Sequence, residues 1–62
     1  MNNLQRKRLE EVLEILNEII EEENEKLERM EDRNLAETEQ YEKMDEEKGT
    51  LETVRDEIEQ LV

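Results

Sequence analysis

LEEVLEILNEIIEEENEKLERM, residues 9–30, carries the pattern that decides the fold. Leu9, Leu13, Leu16, Ile20, Leu27 and Met30 recur at alternating steps of four and three residues. Glu23 fills the one slot where an apolar residue is due. Val12 and Ile19 widen the stripe on one side. This period lays one apolar face along a helix, and such a face has to pack against another helix.

Outward from this stretch, Asn2 or Asn3 can cap the helix start, and the pattern carries helix 1 over residues 4–33. Residues 34–38, Asn34-Leu35-Ala36-Glu37-Thr38, form the candidate turn. Asn34 tolerates the left-handed conformation that ends helices. Asn34 with Glu37 fits a loose capping box, and Thr38 is a second N-cap candidate. No Gly or Pro marks the break, so one unbroken helix is the alternative. Helix 2 is expected over residues 39–61, with a seam begun by Tyr41 near the turn and continued by Met44, Leu51, Val54, Ile58 and Leu61, and with Glu47 in its skipped slot. Gly49 is either tolerated inside that helix or kinks it, with Thr50 available to cap a restart.

The fold class is therefore all-α, an antiparallel two-helix hairpin of the coiled-coil kind. Folded about the turn, it brings Met44 to Met30 and Leu27, and Ile58 and Leu61 to the region of Leu13 and Leu16. At the open end Arg6, Lys7 and Arg8 are expected to approach Asp56, Glu57 and Glu59, which would give that basic cluster at a helix start a purpose. Glu23 and Glu47 read as edge positions whose stems cover apolar surface, with register-fixing as the alternative. Met30, Met44 and Tyr41 gather near the turn, as packing or as a partner-binding tip.

Sixty-two residues bury a modest core, and a chain of this size is usually marginal alone. It has no Cys and no His, which removes disulfide and zinc staples. Association is the remaining remedy. Two hairpins docked face to face would form a four-helix bundle and cover Val12, Ile19 and Val54, so a homodimer is the expected assembly.

Composition is 48% charged and 32% hydrophobic, close to that of disordered chains, yet the few apolar residues fall on stripes. Net charge is −12. Nucleic acid and anionic membranes would repel such a chain, so a charge-chosen partner is a protein with a basic surface. The longest apolar run is two residues, too short for a membrane span. The N-terminus lacks the pattern of a secretory signal, which makes a cytoplasmic location the expectation.

The most distinctive surface is a carboxylate stripe opposite the seam: Glu11, Glu14, Glu18, Glu21, Glu25, Glu28 and Asp32. Between Glu10 and Glu25 every charged residue is acidic. A solvated face explains such a run in most proteins, but a face needing only solubility would mix in Lys. The sharper reading is mimicry of a phosphate backbone. The stripe spans roughly 31 Å of helix, or one charge per about 5 Å. A duplex carries one per about 1.7 Å, so one stripe is sparser than DNA.

Other chemistries fit poorly. A glycosidase needs a cleft that raises one carboxyl pKa, and two helices form none. A di-iron bundle needs Glu-x-x-His motifs. Asp45-Glu46-Glu47-Lys48-Gly49 touches the calcium-loop pattern, but Gly49 in sixth place would put Met44 at the first ligand. Thr38, Thr50 and Thr53 have no adjacent base. No enzyme activity, cofactor or metal is expected.

From Asn34 onward, Asn34-Leu35-Ala36-Glu37-Thr38-Glu39-Gln40-Tyr41-Glu42-Lys43-Met44, then Leu51-Glu52-Thr53-Val54 and Ile58-Glu59-Gln60-Leu61, resembles small acidic helical proteins encoded by phages and prophages of Gram-positive bacteria. Those proteins join an acidic first helix by a short turn to a Leu-Glu-rich second one. Here Gly49-Thr50 and Thr53 interrupt the second helix. The resemblance implies a mobile-element origin and, by analogy, an inhibitor of a host enzyme or defence system acting in the host cytoplasm. The competing reading is a self-assembling coiled-coil scaffold.

Overall fold

A computed structural model describes residues 1–62. Two helices, α1 (Asn3–Asp32) and α2 (Glu39–Glu59), pack against each other as an antiparallel hairpin. No strand is present.

Each helix end has a local cause. Asn2 caps α1 through a reciprocal box: its Oδ1 accepts from the Gln5 backbone N–H at 2.8 Å, and Gln5 Oε1 accepts from the Asn2 N–H at 3.0 Å. At the other end Asn34 takes φ 60°, the only left-handed residue in the chain. The Leu35 N–H then donates to Met30 O (2.8 Å) and the Asn34 N–H to Glu31 O (3.0 Å). This pair of bonds is a Schellman motif with Asn in the place usually held by Gly. The chain reverses within the six residues 33–38. Thr38 caps α2, its Oγ1 accepting from the Tyr41 N–H at 3.2 Å and donating to Leu35 O at 2.7 Å. The turn therefore uses Asn34 to stop and Thr38 to restart.

α2 is continuous through Gly49, and a Cβ there would meet nothing within 4 Å. The Thr50 and Thr53 hydroxyls donate back to the carbonyls of Glu46 and Gly49. They bond within the helix and do not restart it.

The fully buried core is Leu13, Ile20 and Leu27, spaced by two turns along α1, at 9, 4 and 4% exposure. Leu9, Leu16 and Met30 are half-buried beside them. On α2 the half-buried positions are Tyr41, Met44, Lys48, Leu51, Glu52, Arg55 and Ile58. Met44, Leu51 and Ile58 thus lie in the seam, whereas Val54 and Leu61 are 39 and 53% exposed and Glu47 is exposed. α2 is rotated so that Lys48 and Arg55 flank the apolar column in place of Glu47, Val54 and Leu61. Their long stems cover apolar surface while the charges reach Glu52 Oε1 (3.8 Å) and Asp56 Oδ1 (3.2 Å). Glu23 sits in the α1 seam with its side chain 17% exposed, paired with Lys26 at 3.2 Å.

The expected approach of Arg6, Lys7 and Arg8 to Asp56, Glu57 and Glu59 does not occur. Every ion pair in the chain lies within one helix, and none includes those three bases. Helix length is the reason. α1 has 30 residues and α2 has 21, so α2 falls short by roughly 14 Å at about 1.5 Å per residue. The first turns of α1 project past the end of α2, and the longest dimension of the molecule, 47 Å, is close to the length of α1 alone.

Candidate interaction surfaces

All seven stripe carboxylates, Glu11, Glu14, Glu18, Glu21, Glu25, Glu28 and Asp32, are exposed. None forms an ion pair, since the paired acids are Glu23, Glu52, Asp56 and Glu59. They lie in two adjacent columns, Glu14-Glu21-Glu28 and Glu11-Glu18-Glu25-Asp32, each repeating every seven residues along α1. The stripe is therefore a continuous anionic ridge facing away from α2. The side chains of this ridge diverge from one another. No group of three or more His, Cys, Asp or Glu side chains converges as a metal site would require.

The two flanks of the hairpin can be told apart by two observations at the turn. On one flank Tyr41 Oη donates to Glu31 Oε1 (2.5 Å). Seven-residue steps up α2 and down α1 from that pair put Lys48 at the level of Asn24 and Arg55 at the level of Asn17. This flank merges with the acidic ridge through Glu10, Glu31 and the Glu14-Glu21-Glu28 column. From α2 it gains Asp45, Glu52 and Glu59, a contribution that the α1 periodicity alone could not reveal.

On the other flank a shallow groove is lined by Lys26, Arg29, Met30, Arg33, Gln40 and Met44. The same stepping from Arg33 and Gln40 puts Lys26 beside Glu47, Ile19 beside Val54 and Val12 beside Leu61. A second hollow on this flank, at the projecting start of α1, is lined by Met1, Gln5, Arg8, Leu9 and Val12. Val12, Ile15, Ile19, Val54 and Leu61 are all exposed here, at 38–56%. The hairpin thus has an acidic flank and an apolar-to-basic flank. Ile15 joins Val12, Ile19 and Val54, the three residues expected from the sequence to need cover. Its spacing from Val12 and Ile19 is the same three-and-four step as the seam, displaced by one residue, so the periodicity of the sequence carries it.

The phenol of Tyr41 is held above its ordinary pKa of 10.0. The hydrogen bond to Glu31 is the main cause, with desolvation and the nearby charges of Glu31 and Asp45 adding to it. No helix is long and apolar enough to cross a membrane. Comparison with protein-family models, curated proteins and solved structures found no match.

Proposed function

We propose that this chain is a non-enzymatic protein-interaction module that docks its carboxylate face on a basic surface of another protein. The observation that carries this reading is the set of seven exposed carboxylates on α1, none neutralised by an ion pair. Unpaired like charges at helical spacing repel one another by a few tenths of a kcal/mol each. A cationic partner would relieve that repulsion and be steered to the ridge over a Debye length of about 8 Å at physiological salt. The concrete role we assign is that of a phage-encoded inhibitor of a host enzyme or defence protein, working in the host cytoplasm. Where the target binds nucleic acid, the ridge would act as a backbone mimic. The acids that α2 adds to the same flank narrow the gap in charge density.

The test is capture from nuclease-treated bacterial lysate, washed at low and then high salt, with the native chain beside the Glu14→Lys/Glu18→Lys/Glu21→Lys variant. One prey retained by the native chain, released by salt and lost by the variant is the expected result. A prey that the charge-reversed variant holds equally well would sink the reading.

A self-associating coiled-coil scaffold is the second reading. It is favoured by the exposure of Val12, Ile15, Ile19 and Val54 beside a core of three buried side chains. Self-association through that flank leaves the ridge free, so the scaffold reading differs in having no charge-chosen partner.

A further inference from the structure

The flank that carries Val12, Ile15, Ile19, Val54 and Leu61 is the one long face of the molecule that is not acidic. Its charged residues are Arg8, Lys26, Arg29, Arg33 and Lys43 against Glu22, Glu47 and Glu57. Cations outnumber carboxylates there, in a chain whose net charge is −12. The apolar part lies toward the open end of the hairpin, and most of the cations lie toward the turn.

We propose that this flank is where a second copy of the chain docks, closing a four-helix bundle. The assignment rests on the self-association reading above and names its face. Three observations choose the occupant. One hairpin fully buries only Leu13, Ile20 and Leu27, a core too small for a chain of this length to rely on, and a second copy is the partner present wherever the chain is. Two chains of net charge −12 repel, and each of the other long faces would set carboxylates against carboxylates. This flank alone brings two copies together without that opposition. Isologous contact centred on the apolar part of the flank also turns both acidic ridges outward, so pairing leaves the carboxylates free.

Sedimentation equilibrium of the full chain, across concentration and at low and high salt, tests the proposal. The dimer is expected to tighten as salt rises, because screening removes repulsion between two acidic chains. Docking of the ridge on a basic partner should respond in the opposite direction. Ile15→Glu, at a residue 56% exposed in the hairpin, is expected to raise the dimer dissociation constant at least about tenfold. Asn17→Glu adds the same charge on the opposite flank and should leave it unchanged. Val54→Lys, from the other helix, is the second variant and should weaken the dimer as Ile15→Glu does. A chain that stays monomeric at every concentration overturns self-association and the face together. A dimer that survives Ile15→Glu and Val54→Lys at native affinity, or that Asn17→Glu breaks, overturns the face and leaves self-association standing.

Discussion

Tyr41 Oη donates to Glu31 Oε1, and this is the only side-chain hydrogen bond that crosses from α2 to α1. It joins the first turn of α2 to the last turn of α1, on the side toward which α2 is rolled. With Tyr41 turned toward the Glu31 side of α1, Lys48 and Arg55 follow it two and four turns later.

The pair has a pH signature. Tyr41 is the only tyrosine, so the phenolate absorbance reports it alone. Its pKa is raised, so the contribution of the bond is fully present below the ordinary value of 10.0. It is lost as pH rises through the higher folded value. A spectrophotometric titration should therefore find the midpoint above 10.0, and Glu31→Gln should move it back down. An unshifted midpoint in the native chain would show that the bond does not persist in solution.

Ile20 lies at the middle of the core and is 4% exposed. Ile20→Ala should cost about 2–5 kcal/mol, a large share of what so small a domain can hold. Leu4→Ala, at a residue 58% exposed, should change stability by no more than about 0.5 kcal/mol. Urea unfolding followed by far-ultraviolet circular dichroism separates the two.

Gly49 sits inside α2 with open space where a Cβ would go. Gly49→Ala should stabilise the hairpin by about 0.5–1 kcal/mol, because the native backbone is helical and the unfolded chain loses freedom. A lower urea midpoint for the variant would mean that Gly49 is needed for a close approach absent from the single hairpin.

The turn depends on two residues. Asn34→Ala forces a Cβ without a compensating side-chain amide into a φ of 60° and should cost about 1–2 kcal/mol, whereas Asn34→Gly should be neutral or better. Thr38→Ala removes the α2 cap and should cost about 1 kcal/mol. With both Asn34→Ala and Thr38→Ala in place, the stop and the restart are weakened together. Small-angle scattering should then detect chains more extended than the 14.5 Å radius of gyration of the hairpin.

The sequence by itself determined α1, its buried column of Leu13, Ile20 and Leu27, and the exposed ridge opposite. Each of these follows from one periodic stripe, and local spacing is sufficient to read it. It also offered Asn34 and Thr38 for the turn, because both act on backbone groups within a few residues of themselves, while leaving an Asn34–Glu37 capping box and one unbroken helix open. Only the tertiary structure decided how α2 is rolled. Met44, Leu51 and Ile58 can serve as one edge of two seams, with Glu47, Val54 and Leu61 or with Tyr41, Lys48 and Arg55. Hydrophobicity alone favours the first. The second is adopted, with Tyr41 held by Glu31 and two long cationic stems over the core. The same roll leaves Val54 and Leu61 outside beside Ile19 and Val12. The division into an acidic flank and an apolar-to-basic one is thus a consequence of packing between helices, which no stripe on a single helix contains.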